Sequence, residues 1–296
     1  MADPMTPPEY VAALRAEGLR VAEYPGWRDH ERDDETGKPF GPVHMILNHH
    51  TVSRDSLKVI VHGHTGLPGP LANSHLSKTG VVTMTGSGRA NHAGLMARNA
   101  YTSFRDERAI HPVPLKSSGT VDGNDVAYGL EAENMGDGED VWPEVQYDAM
   151  VRYNAAICRH HKWGADSVAG HLETSVEGKV DPRGPVQGYG TRGRFTFTMA
   201  QFRKDVAERL RHPAQWTPPQ NTTHPGDDVP DNDTPKRNPT YDAVMRADAV
   251  PAPTNAATAD ENPYWSGENY LKDLGFQTRE AHRKLDMLLD HFGIES

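Results

Sequence analysis

The first 212 residues predict a single domain of the α/β or α+β class, because strand-like and helix-like patterns alternate along them. Two observations carry the prediction. Around Glu131, apolar Leu130 and Ala132 alternate with Glu131 and Glu133, the period-two pattern of a strand with two unlike faces. Between residues 145 and 163, Met150, Tyr153, Asn154, Ile157 and Cys158 follow helical spacing instead. A third observation sets the limit. From Pro213 the chain turns rich in Pro, Asn, Asp and Thr, which leaves too little apolar surface to offset the entropy of ordering.

Taken in order, residues 8–19 read as a helix with Val11, Leu14 and Leu19 on one face, inside an N-terminal helical extension of about residues 1–40. Residues 44–47 form a short strand that runs into Asn48-His49-His50-Thr51. Residues 56–63 fit a helix or a strand equally. Residues 81–85 and 127–134 read as strands. The segment 145–163 is the clearest helix, with Gly164 as its stop, and 202–210 is a closing helix. The domain therefore spans 1–212, residues 213–262 form a Pro/Asp-rich linker, and 263–296 hold a short C-terminal helix. In that last piece Leu271, Leu274, Thr278, Ala281, Leu285, Leu288 and Phe292 keep a 3-4-3-4 spacing. Such a helix is marginal alone, so it serves oligomerisation, docks on the main domain, or is left as a disordered or binding element. Gly275 and Thr278 weaken the coiled-coil form.

Composition narrows the function. The formal charge is −10, of which −7 falls after residue 212 (fourteen acidic against seven basic residues), and this excludes nucleic acid as the expected partner. One cysteine, Cys158, excludes an intrachain disulfide framework. No apolar run approaches the roughly 20 residues of a membrane span, so membrane insertion is not expected. The opening Met1-Ala2-Asp3-Pro4-Met5-Thr6 has neither a basic nor an apolar leader region, so we expect no signal peptide and a cytoplasmic start.

Sixteen histidines make coincidence easy, and His62, His64, His111, His160, His161, His212, His282 and His291 read as ordinary surface or core residues. Two stand apart. His49 ends an apolar strand, where a side chain projects into a site at the sheet's edge. His171 follows a glycine and shares its loop with Lys179 and Asp181. Two imidazoles and a carboxylate are a usual set for a catalytic zinc with its fourth position open, so a metal hydrolase is the first hypothesis.

Five motifs occur in a telling order: Asn48-His49-His50-Thr51, Ser74-His75, Asn91-His92-Ala93-Gly94, Gly129-Leu130-Glu131-Ala132-Glu133, and Gly170-His171 through Lys179-Val180-Asp181-Pro182. Over roughly residues 40 to 210 the chain resembles the type 2 N-acetylmuramoyl-L-alanine amidases, the family that includes peptidoglycan recognition proteins and many phage endolysins. The resemblance implies a single amidase domain with a central mixed β-sheet flanked by helices, and a Zn2+ site in a groove. It implies His49 (rather than His50, which would point to the opposite side if the strand continues), His171 and Asp181 as metal ligands. Glu131 falls where the family activates water, and Lys179 where it steadies the oxyanion. His75, Asn91, His92 and Asn124 fall in motifs expected to shape the groove and contact muropeptide. Asn91 stands where an aromatic residue is common, which puts a stacking surface in doubt. The glycine-rich stretch 184–193 is expected to be a mobile loop near the site.

The function this implies is zinc-dependent hydrolysis of the amide between N-acetylmuramic acid and L-alanine in bacterial peptidoglycan. Without a leader and with an acidic tail, the chain most resembles an endolysin, held in the host cytoplasm until release to the wall. The rivals are a cytosolic amidase that recycles muropeptides and a non-catalytic module that binds peptidoglycan. A homo-oligomer through the C-terminal helix is a further expectation.

Overall fold

The computed structural model describes residues 1–219, 248–251 and 264–266. A six-stranded mixed sheet organises the first of two compact units, Met1–Thr222. Its strands run in the spatial order Arg20–Glu23, Val81–Met84, Ser74–Leu76, Ala127–Ala132, Met45–His50, Val168–Gly170. All neighbours pair in parallel except Ser74–Leu76 with Val81–Met84, which form an antiparallel pair. The most buried strand, Met45–His50, is covered on both faces, as its continuous apolar start requires.

Strand alternation assigns the two faces. Ile46, Leu76, Val82, Met84, Tyr128, Leu130 and Ala132 pack into the larger core with the helices Pro7–Ala16, Glu144–His161 and Met199–Leu210. Met45, Leu47, Ala127 and Ala169 face the other way, onto Met96 and the helix Arg98–Arg105 through Tyr101 and Phe104. His49 and Glu131 continue this second, thinner side. There the sheet is only partly covered, and a groove opens.

The longest helix begins at Glu144 after Pro143 and ends at Lys162, whose φ of 59° makes it the left-handed cap two residues before Gly164. The N-terminal helix stops at Ala16, and Leu19 leads into the edge strand Arg20–Glu23, which the sequence pattern did not signal. The ambiguous segment is a helix, Leu57–His62. The stretch 184–193 is not a loose loop. Pro185–Val186 pairs with Phe195–Thr196, and Val186 and Tyr189 are buried.

Three charged residues join the helices below the sheet. Glu17 is 1% exposed and Arg209 0%, with Arg209 Nε donating to Glu17 Oε1 at 2.6 Å and Arg159 Nε donating to Glu17 Oε2 at 2.9 Å. Arg209 also donates to the Trp216 carbonyl at 2.6 Å. Cys158 is buried and its thiol is pushed up to about 12 by burial, which fits a packing role.

The second unit is Thr223–Ser296. Within it, Asp248–Pro251 pairs antiparallel with Tyr264–Ser266, so two short strands stand where a linker and the start of a helix were expected. The rest of the expected linker and the seam from Leu271 to Phe292 lie outside the described residues, and with them the expected oligomerisation helix. Among the described residues no helix is long and apolar enough to cross a membrane.

Candidate metal centre

His49 is the penultimate residue of its strand and pairs in register with Glu131, which in turn pairs with His75. Register thus puts three ionisable side chains on one face of three adjacent strands. The preceding residue, Asn48, points the other way, donating to the Ala169 carbonyl at 3.0 Å and exchanging hydrogen bonds with Asn154 of the long helix. That clamp fixes which face His49 takes.

His171 opens the short 3-10 turn His171–Glu173 at the end of the neighbouring strand. Glu173 accepts from Gly170 N at 3.1 Å and is held by Arg203 through two bonds of 2.7 and 2.8 Å. A side chain at Gly170 would collide with Met199 and Pro182, so glycine is needed for the strand to pass so close. The Leu172 amide donates to the Asp181 carbonyl at 2.9 Å and draws the far end of the loop back to its start.

His49, His171 and Asp181 meet as a result. His49 Nδ1 lies 3.0 Å from His171 Nδ1 and 3.1 Å from Asp181 Oδ2, and His171 Nδ1 lies 3.2 Å from the same oxygen. All three residues are buried. Burial and the neighbouring His171 lower the His49 pKa to about 4, so its ring is neutral at pH 7. Burial works against the Asp181 carboxylate, but its close contacts with the His171 and His49 rings outweigh it and hold the group well below the usual carboxylate range. Neutral imidazole and ionised carboxylate are the forms that bind metals.

The donor set fits a metal ion of the zinc type. Donor separations of 3.0–3.2 Å sit close to the roughly 3.3 Å edge expected of a tetrahedron with zinc–nitrogen bonds of about 2.0–2.1 Å. Two nitrogens and one oxygen suit zinc better than magnesium or calcium, which favour oxygen ligands.

Glu131 stands beside this donor set. It lies on an interior strand, with Oε1 3.9 Å from His49 Nδ1 and Oε2 buried without a hydrogen-bond partner. Burial first, and then the Asp181 charge, raise its pKa well above the usual value, partly offset by Lys179. Lys179 stands on the groove's lip with its side chain 45% exposed and Nζ 3.3 Å from Glu177.

The groove has a volume of about 430 Å³ and takes in His49, Glu131, His171, Lys179 and Asp181 together. His50 lines it too. The strand does continue through His50, but the ring is lodged against Gly136 near the sheet's end, where even a Cβ on Gly136 would strike it. Apolar Val52, Leu67, Leu71 and Val180 also line the groove, although no sequence motif marked them.

The four expected substrate contacts divide. Asn91 and His92 line the groove. His75 and Asn124 are not among its lining residues. His75 is 2% exposed, with Nε2 3.0 Å from Ser56 Oγ and 3.4 Å from Glu133 Oε1, so that nitrogen is already partnered. Asn124 is 7% exposed, and its Oδ1 accepts from the amides of His92 and Ala93 at 2.9 and 2.8 Å, shaping the His-Ala-Gly loop from beneath.

Residues 39–184 match the family model described as N-acetylmuramoyl-L-alanine amidase. No curated protein sequence matches the chain. Among solved structures it is similar to the endolysin N-acetylmuramoyl-L-alanine amidase LysCS from Clostridium intestinale URNW, with 16% identity over 51% of this chain and 80% of that one and a TM-score of 0.34. It is similar to AmpD at 17% identity, covering 64% of this chain and 94% of that one, with a TM-score of 0.39. A third is the N-acetylmuramyl-L-alanine amidase AmiD from E. coli, solved with anhydro-N-acetylmuramic acid-L-Ala-D-gamma-Glu-L-Lys, at 14% identity, 49% and 54% coverage, and a TM-score of 0.37.

Proposed function

We propose, starting from the match of residues 39–184 to the N-acetylmuramoyl-L-alanine amidase family model, that the chain is a zinc enzyme that hydrolyses the amide between N-acetylmuramic acid and L-alanine in bacterial peptidoglycan. The observation that carries the proposal is the convergence of His49 Nδ1, His171 Nδ1 and Asp181 Oδ2 at 3.0–3.2 Å beside a buried, unpartnered carboxylate. A non-catalytic binding module has no need of either feature.

His49, His171 and Asp181 would hold the ion. When bound, zinc polarises the scissile carbonyl and makes water acidic. The chain's own residues supply the proton traffic and the orientation. Glu131 accepts a proton from the attacking water at its unpartnered oxygen and returns it to the departing L-alanine amine. Its raised pKa brings it nearer to neutrality, where a group that must both take and give a proton works best. Lys179, free to leave Glu177 because the pair is exposed, brings positive charge toward the carbonyl oxygen as it becomes anionic. Val52, Leu67, Leu71 and Val180 give the groove an apolar lining beside these groups.

We carry the lytic setting forward over muropeptide recycling because the chain adds Thr223–Ser296 beyond the amidase unit, which a soluble fragment does not require. In that setting the protein waits in the host cytoplasm and acts when it reaches the wall. The test is mass spectrometry of the products released from purified sacculi and from soluble muropeptides. Stem peptides beginning with L-alanine, freed from intact sacculi, are expected. Cleavage of soluble fragments alone would move the enzyme to recycling, and retention on the wall without products would make it a binding module. Adding zinc to chelator-stripped protein at a hundredfold excess over Kd should stabilise it by about 2.7 kcal/mol, and Asp181→Ala should abolish that gain.

A further inference from the structure

We propose that His92 is a positioning residue that fixes His49 in its metal-accepting tautomer, through a hydrogen-bond chain anchored on the main chain. The proposal rests on reading His49, His171 and Asp181 as a metal centre, and it gives His92 a task other than contact with substrate.

The argument is one of donors and acceptors. His92 Nε2 lies 3.3 Å from the carbonyl oxygen of Ala127. A carbonyl only accepts, so Nε2 carries the proton. A neutral imidazole has a single N–H, so His92 Nδ1 is left as an acceptor. Nδ1 in turn lies 3.1 Å from His49 Nε2, which must therefore donate. The remaining nitrogen of His49, Nδ1, is thus bare, and it is the atom that faces His171 and Asp181 at 3.0 and 3.1 Å. The two rings stand at 88° with centroids 5.2 Å apart, an edge-on approach that sets the N–H of one against the lone pair of the other.

Three features keep His92 in place. Asn124 Oδ1 accepts from its amide and from that of Ala93. Ala127 belongs to the same strand as Glu131, so the anchoring carbonyl moves with the sheet. Gly129 lies beneath the ring, and a Cβ there would come within 2.7–2.8 Å of its atoms. His171 has no such support, because its Nε2 is buried without a partner. Of the two imidazoles in the centre, His49 is the one set in advance. Groups that orient a ligand in this way typically alter metal affinity 10–100-fold when removed.

Two variants and one measurement on the unmodified protein test the proposal. His92→Phe keeps a ring but removes the acceptor, whereas His92→Asn keeps an acceptor near the position of Nδ1. Zinc affinity is read by competition with a chromophoric chelator, with thermal melting as the control for folding. Phe should weaken zinc binding by roughly 10–100-fold, and Asn should recover most of that loss at a similar melting temperature. Long-range proton–nitrogen correlation spectra of zinc-free wild-type protein, labelled with 15N-histidine, should show His49 protonated at Nε2. A His49 protonated at Nδ1, or a folded Phe variant with wild-type zinc affinity, overturns the proposal. The spectrum needs no variant, so it decides even if His92→Phe fails to fold. Wild-type protein that binds no zinc would instead sink the metal reading itself.

Discussion

Replacing Glu131 with glutamine should separate catalysis from stability. The substitution keeps the shape of a side chain that is 14% exposed and whose Oε2 is buried without a partner. It removes the capacity to hold a proton. Positioned general acid–base groups contribute about 10²–10⁴-fold to rate, equivalent to roughly 2.7–5.4 kcal/mol of barrier. The folded state should lose nothing. Burial and the Asp181 charge already disfavour the ionised carboxylate, so a neutral amide relieves a cost. That relief is on the order of 1 kcal/mol, and it should leave the melting temperature unchanged or raised by about 2–4 °C. The assay pairs initial rates of stem-peptide release by zinc-loaded protein with thermal melts of the same samples. A variant that keeps more than about a fifth of wild-type activity (under ~1 kcal/mol of barrier) would refute the assigned role. A marked fall in melting temperature would refute the account of burial.

Two further outcomes can be checked directly. His161 accepts from the Tyr128 hydroxyl at 3.0 Å and stacks on Trp163, and burial, with smaller contributions from His160 and His44, lowers its pKa to about 4. A base with a depressed folded pKa binds protons more readily when unfolded, so its contribution is intact above about pH 6.5 and is lost as pH falls toward 4; melting curves of His161→Gln should show a shallower pH dependence across that window, and an unchanged slope would rule His161 out as a source. Val52 is a β-branched residue held at φ 53° and 64% exposed, so Val52→Asn, which tolerates that conformation, should gain about 1 kcal/mol and raise the melting temperature by roughly 2–4 °C; an equal or lower value would show that the backbone there carries no strain.

What could be read from the sequence follows from physical range. The helix over Glu144–His161 was legible because its apolar residues repeat locally, and the strand holding Glu131 because polar and apolar residues alternate there. The gathering of His49 with His171 and Asp181 came from motif order, since no local pattern encodes a distance of 3 Å between residues more than a hundred apart. Motif membership did not reveal burial. His75 and Asn124 sit in the expected segments, yet one is sealed by Ser56 and Glu133 and the other supports a loop from below. Arg20–Glu23 escaped notice because an edge strand with one pairing partner and mostly exposed side chains has little apolar pattern. The left-handed turn at Val52 had no glycine or asparagine to announce it.

The contact between Glu17 and Arg209 sets the boundaries of any portable cassette cut from this chain. The family match runs from 39 to 184, but the two residues that close the structure beneath the sheet lie outside it, one on each side. Trimming to the matched limits would also leave Arg159 without Glu17 and strip Val81–Met84 of its neighbour Arg20–Glu23, baring a strand edge open to aggregation. A graft onto a wall-targeting module should therefore carry residues 1–219, with the junction placed after the turn where Arg209 holds the Trp216 carbonyl. For this protein the unit of exchange is larger than the unit of resemblance.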